Sequence, residues 1–294
     1  MDQAQCFHPQ SDCTRITFHG PLLRIGWSGN WGRAASARKN SGIWNLCGQL
    51  ARMLPHPLLK SHYATPEAKP EFVNRLFDAG APHYDGITGW GFLGSGSAYR
   101  RWVQRRHGLK PGMHLLDVAC GTGLMAIEGM RILGTADNIT CLDPSEGMMA
   151  EARKKLPAKF VVGYADRLPF ADASFDFLTM GYALRHVADL AVTLREYHRV
   201  LRSGGRVLIL EVTKPTSPLG NFFFWLYFGK IFPGLTRLFT RSRAAHDMMY
   251  YYWETMDASV PPDSVLAAMR AAGFAVVKRV HVLGLFSEYV ALKA

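Results

Sequence analysis

Cysteine is scarce: five residues in 294 (Cys6, Cys13, Cys47, Cys120, Cys141), odd in number, scattered and without a CxxC pair. That leaves no basis for a disulfide framework or a zinc site, and it suits a reducing compartment. No uninterrupted apolar stretch approaches the about 20 residues needed to span a bilayer, so a soluble or peripheral protein is expected. Runs of Lys or Arg long enough for a nucleic-acid patch are missing too, and no nucleic-acid partner is expected despite a formal charge of +11. A basic balance without such runs points instead to an anionic membrane surface or an anionic cofactor. Acidic residues are rarest at the start, where residues 1–66 hold seven Lys or Arg against Asp2 and Asp12. This segment has no sustained period and no continuous apolar h-region, which argues against secretion. It reads as a disordered or irregular extension. A transit segment, or an initiation site at Met53, would account for it equally well.

What is present begins near residue 67. A 48% hydrophobic content supplies the core of one large α/β domain over 67–294. Phe72, Leu76 and Phe77 have helical spacing, a glycine-rich link follows, and a second helix is expected around Trp102 and Val103. The pair, spanning 67–110, makes a natural helical lid. Tyr84-Asp85 falls on the expected link, where the ring either closes over a ligand or packs on the body.

From His114 the chain alternates strand and helix five times, the pattern of a doubly wound parallel sheet. The organising stretch is HLLDVACGTG, residues 114–123, a buried strand breaking into a glycine turn with a helix opening at Leu124. Such a turn lets backbone approach a ligand closely and offers free N–H groups at the helix start. The second strand, Asn138–Leu142, ends at Asp143, where an acid at the carboxyl end of the neighbouring strand holds ribose hydroxyls. Ser145 is a candidate N-cap. Further strands are expected at Lys159–Gly163, at Phe175–Met180 and, after a turn at Gly204-Gly205, over RVLILEV. Loops at 164–170 and 181–186 leave the same sheet edge and so wall one crevice. Residues 274–293 read as an antiparallel hairpin, which speaks against a nicotinamide domain.

With these residues in place the chain resembles the class I S-adenosylmethionine-dependent methyltransferases, and among them the ubiquinone/menaquinone biosynthesis C-methyltransferase family. The resemblance rests on DVACGTG at 117–123, FDAGAPHYD at 77–85, LPF at 168–170, ALRHV at 183–187, EVTKP at 211–215 and YYWETM at 251–256. It implies a Rossmann-like, mostly parallel seven-stranded sheet closed by the C-terminal hairpin, and S-adenosyl-L-methionine as cofactor. It also implies that Asp117, Gly121, Thr122 and Gly123 hold the methionine moiety, Asp143 the ribose, and Ala165 with Asp166 the adenine, with Gly181 and Tyr84 completing the cofactor wall. Four positions depart from the pattern: Ala119 replaces a glycine, Tyr164 stands where Asp or Asn is usual, Gly181 stands where the family often has Ser, and His186 stands where it has Asn. Methylation at a ring carbon needs a phenolic proton withdrawn. His186 is the expected acceptor, directly or through water, because imidazole titrates near neutrality; a packing role for it is the alternative. Arg185 is expected to orient a phenol oxygen, since guanidinium stays charged. Tyr252 and Glu254 are further candidates for the acceptor pocket.

The insert over 216–260 has seven aromatics between Phe222 and Phe232, followed by Arg237, Arg241 and Arg243. Residues 221–243 suit an interfacial segment meeting lipid, or a lid burying its rings on the body or in a homodimer. The expected activity is C-methylation of a prenylated quinol or similar lipophilic ring. Phospholipid or other N/O-methylation, or a non-catalytic cofactor-binding role in a biosynthetic assembly, remain as alternatives. The expected location is cytoplasmic, peripheral at the inner membrane face, or the mitochondrial matrix in a eukaryote.

Overall fold

Seven strands form one sheet in the order β3-β2-β1-β4-β5-β7-β6: β1 Leu115–Val118, β2 Ile139–Asp143, β3 Lys159–Val162, β4 Phe175–Gly181, β5 Leu201–Val212, β6 Val276–Val282 and β7 Phe286–Leu292. The computed structural model describes residues 53–91 and 94–294. Expectations for residues 1–52 lie outside the described residues. β1 to β5 pair in parallel, while β7 runs antiparallel to both β5 and β6. The chain winds outward from β1 to β3 and then returns to place β4 on the other side of β1. That reversal opens a crevice beyond the carboxyl ends of β1 and β4.

Alternation along the strands supplies both faces. Leu116, Leu178 and Val207 face one buried cluster; Leu115, Phe177 and Leu208 face the other. The first cluster is covered by α5 (Leu190–Val200) and α9 (Pro262–Ala271), the second by α2 (Gly96–Arg106) and α3 (Leu124–Leu133). β5 starts at Leu201, earlier than expected, because Gly204, at φ +76°, sits in a register irregularity within the strand instead of in a turn before it.

The expected lid differs from its sequence reading. α1 runs unbroken from Lys69 to Gly91, with Pro82 inside it, so Tyr84 and Asp85 lie on a helix and not on a link. Two of its glycines serve close approach. A Cβ on Gly80 would sit 2.4 Å from the Met248 sulfur, and one on Gly91 would sit 2.3 Å from the Phe232 ring. Packing has overridden their low helix propensity.

Residues 53–66, read as part of the extension, are irregular but fixed to the body. The Met53 carbonyl accepts from Leu190 N (2.9 Å), the Pro55 carbonyl accepts from Val260 N (2.9 Å), and Tyr63 is buried. The insert forms α6 (Pro218–Phe224), a π-helical segment (Trp225–Ile231), α7 (Phe232–Thr240) and α8 (Arg243–Asp257). Pro233 has no N–H for the carbonyl four residues back, which accounts for the wider winding just before it. Phe224, Phe228 and Phe232, four apart, are buried in a third cluster with Ile87 and Met248. Phe222, Phe223 and Trp225 are exposed. No helix among the described residues is long and apolar enough to cross a membrane.

Candidate active site

A cavity of about 590 Å³ occupies the crevice, within the roughly 300–1,000 Å³ usual for small-molecule sites. One end is built from the turn after β1. Ala119, Gly121 and Gly123 all have positive φ (51°, 55° and 82°), folding the chain back so that Gly121 forms part of the wall. A Cβ on Gly121 would meet nothing within 4 Å and would project into free space. Gly123 is different. Its Cβ would lie 3.3 Å from Ala152, so this glycine serves packing against α4 (Glu146–Arg153) and does not face the cavity.

Asp117 is also absent from the wall. It is wholly buried beneath the turn, accepting from Thr179 Oγ1 (2.7 Å) and from Ala126 N at the start of α3 (3.1 Å). Its role is to hold the turn, and burial pushes its carboxyl up to about 7. Thr122 likewise turns away, donating to Asp85 on α1 at 2.5 Å. Asp143 does line the cavity. Its two oxygens accept from Gly121 N and Ser145 N, each at 2.8 Å, and so tie the glycine turn to the start of α4. Ser145 caps α4 by accepting from Met148 N (3.1 Å). Burial raises the Asp143 carboxyl to about 6, against the pull of those two N–H groups. Both acids keep a proton to higher pH than in an unfolded chain. Their contribution to folding is therefore full below their usual 3.8 and is lost as pH rises through about 6 for Asp143 and about 7 for Asp117.

Ala165, Asp166, Gly181 and Tyr84 all line the cavity. A side chain at Gly181 would press on Met125, 2.8 Å from its Cγ, which explains a glycine there. The exposed Tyr164 lines the same wall. Part of the cavity wall is made of rings: Phe77 and Tyr84 from α1 and Tyr252 from α8, with the two tyrosine hydroxyls 2.8 Å apart. His186, in a 3-10 turn over Leu184–His186, joins this wall. It stacks on Tyr251 (centroids 5.5 Å, 24°) and meets Phe77 edge-on at 5.2 Å. Both of its ring nitrogens are buried and without a hydrogen-bond partner. Burial, then the charges of Arg185, Lys69 and His56, hold it well below 6.5, so the imidazole is neutral and does not titrate near pH 7 as expected from sequence.

Arg185 faces the other way. It is 2% exposed, pairs with Glu211 on β5, donates from Nε to Thr255 Oγ1 (3.2 Å) and lies 4.3 Å from the Tyr252 ring centroid. It thus stands behind Tyr252 and off the cavity wall, where it supports that ring and is not placed to meet a phenol oxygen. Glu254 is also off the wall, pairing with His62. Sequence reasoning missed Asn74 on α1, which lines the cavity with a buried, unpartnered Oδ1. Asp78 on that helix accepts from Ser145 Oγ (2.5 Å) and Gly147 N (2.9 Å). Asp78 and Asp85, two turns apart, thereby fasten α1 across both cofactor loops, a spacing the sequence displayed.

A sheet in this order, with a glycine turn at its switch point and an acid on the adjoining strand, defines a class I S-adenosylmethionine-dependent methyltransferase. Residues 65–293 match the ubiE/COQ5 methyltransferase family, and the chain belongs to it. The demethylmenaquinone methyltransferase of Staphylococcus aureus (strain MRSA252) is 35% identical over 187 residues, 62% of this chain and 78% of that protein. The enzyme of the same name from Symbiobacterium thermophilum is 34% identical over 219 residues, 71% of this chain and 87% of its own. Among solved structures, phosphoethanolamine N-methyltransferase 2 of Haemonchus contortus, in complex with S-adenosyl-L-methionine, aligns with a TM-score of 0.57 at 17% identity. That alignment covers 76% of this chain and 60% of the other, and the likeness is one of fold. The residues present fit the cofactor: Gly121 leaves open space where a side chain would intrude, and Asp143 faces that space with lone pairs to spare.

The Asp143 carboxyl is expected to make cofactor binding pH-dependent. A carboxylate accepts from two ribose hydroxyls, whereas its protonated form loses acceptor capacity. Affinity for S-adenosylhomocysteine, measured by calorimetry, is expected to rise as pH increases through about 6. Asp143→Asn is expected to bind about tenfold or more weakly, with that pH dependence gone.

Proposed function

We propose that this enzyme methylates a ring carbon of a prenylated quinol, a quinone precursor. The observation that carries the reading is His186: an imidazole with two buried, unpartnered nitrogens, packed among Phe77, Tyr251 and Tyr252, on a residue that lines the same cavity as Gly121 and Asp143. S-adenosylmethionine, when bound, supplies an electrophilic methyl group. Phe77, Tyr84 and Tyr252 clamp a flat ring by their faces and edges. His186 accepts the phenolic O–H, which sends electron density into the ring, and α1 acts as the lid that keeps water out. Arg185 and, below about pH 7, Lys69 make the surroundings of His186 positive, which favours a developing phenolate and opposes an ammonium acceptor such as phosphoethanolamine.

The demethylmenaquinone methyltransferase relatives support this acceptor class. Purified protein, cofactor and a short-chain demethylmenaquinol are expected to yield a product one methylene heavier by mass spectrometry. Methylated phosphatidylethanolamine from vesicles, with the quinol unchanged, would refute the proposal.

Access to a prenylated acceptor comes through membrane contact by the insert, at the inner membrane face. Phe222, Phe223, Trp225, Leu238 and Phe239 are exposed there, with Lys230, Arg237 and Arg241 also exposed on the same helices. Wild-type protein is expected to co-sediment with anionic liposomes and the triple variant Phe222→Ser, Phe223→Ser, Trp225→Ser to remain in the supernatant. Phe228 is unsuitable for that test because it is buried. A wild-type homodimer that hides these rings and ignores liposomes would exclude membrane contact.

A further inference from the structure

The loop carrying His186 is gripped from behind by a lysine outside the cavity wall. Lys69 opens α1 and is 4% exposed. Its Nζ donates to the carbonyl oxygens of Arg185 (3.2 Å) and Val187 (3.0 Å), the two residues flanking His186. Two carbonyls could be bridged by a neutral donor, and a buried ammonium is a costly way to do it. The charge calls for a reason of its own.

We propose that Lys69 is a positioning residue for the acceptor end of the site: it fixes the main chain on both sides of His186 and supplies a field that keeps the imidazole an unprotonated acceptor. The proposal rests on the reading of His186 as the group that accepts the phenolic O–H. The surroundings of His186 agree with it. Arg185 on its own loop and Lys69 from α1 place positive charge toward the ring; His56, from the preceding segment, is itself lowered to about 4 by burial and is neutral near pH 7; α1 and α8 contribute Phe77, Tyr251 and Tyr252. The nearby carboxylate, Glu211 on β5, is already paired with Arg185.

Burial lowers Lys69 to about 7. Above that pH the neutral amine still has two N–H groups, one for each carbonyl, and positioning persists. As pH falls through it, the lysine gains its charge as His186 would otherwise begin to protonate. The device thus opposes protonation on the acid side.

The test uses the full chain with Lys69→Met, Lys69→Gln and Lys69→Arg. Carbon-13 labelled histidine gives the His186 titration by NMR, and a short-chain demethylmenaquinol with saturating cofactor gives kcat and KM. Lys69→Met and Lys69→Gln are expected to move the His186 midpoint upward in pH and to lower kcat by about tenfold, with affinity for S-adenosylhomocysteine unchanged. Lys69→Arg is expected to return the midpoint toward the wild-type position. If thermal stability falls in the neutral variants while the midpoint stays where it was, Lys69 is only a structural tie and the proposal is overturned. Should wild-type protein leave the quinol unmethylated, the acceptor reading fails, and the imidazole titration still decides whether Lys69 sets the field.

Discussion

His186→Ala is expected to lower kcat for quinol methylation by about a hundredfold while leaving affinity for S-adenosylhomocysteine unchanged. Positioned acid or base groups contribute typically about 10²–10⁴, and a base of depressed pKa belongs at the lower end because it takes a proton less completely. The sequence alone predicts an imidazole titrating near neutrality. Burial among rings, then the charges of Arg185 and Lys69, change that: the group is neutral throughout the working range, and its value lies in two buried, unpartnered nitrogens on a residue of the cavity wall. Alanine leaves a hole there and no acceptor. His186→Asn keeps an acceptor oxygen without a titratable group, and it should fall between alanine and wild type. A second consequence concerns the pH profile, because kcat in the wild type should have no limb near 6.5 that disappears in the alanine variant. Undiminished turnover by a folded His186→Ala protein would remove the imidazole from the reaction.

The framework of the site was legible because local rules and tertiary structure agree there. An apolar run, a glycine turn and a Ser cap placed β1, α3, β2 and α4 within a residue or two, and Asp143 stands on the cavity wall where a parallel-sheet argument puts it. Reading failed where a residue type has two uses. Gly80, Gly86 and Gly89 look like a link, yet they lie inside α1, and Gly80 is there to let Met248 approach. The acid of the DVACGTG turn looks like a ligand-binding group, yet it is wholly buried off the cavity wall, held by Thr179 and Ala126. Arg185 and His186 are adjacent in sequence, and a single turn of 3-10 helix sends them to opposite sides, one to Glu211 and one to the cavity. Lys69 gave no signal, since a lone lysine at a helix start is ordinarily solvated. The insert could have been divided further: spacing by four picks out Phe224, Phe228 and Phe232 as the buried stripe and leaves Phe222 and Phe223 outside it.

Removing the Glu211 carboxylate as Glu211→Ala is expected to destabilise the protein by roughly 3–5 kcal/mol, on the order of 10 °C in Tm for a domain of this size. The cause is the charge left behind. Arg185 is 2% exposed and cannot reach water, its Nε has only Thr255 Oγ1 at 3.2 Å, and its Nη2 is already without a partner. Intact, the pair is no net stabiliser, because burial pushes the Glu211 carboxyl up in spite of the adjacent guanidinium. Replacing both partners by apolar residues, Arg185→Met with Glu211→Leu, should therefore recover most of the loss, as removal of one charge alone does not. Activity should not recover with it. The Tyr252 ring rests 4.3 Å from the guanidinium carbon, lines the cavity and meets Tyr84 hydroxyl to hydroxyl at 2.8 Å, so its placement depends on Arg185. Thermal and urea denaturation beside turnover separates the two effects. A Glu211→Ala protein with an unchanged Tm would mean that the guanidinium finds solvent or another acceptor when its carboxylate is gone, and a double variant with full turnover would free Tyr252 from any dependence on the charge beneath it.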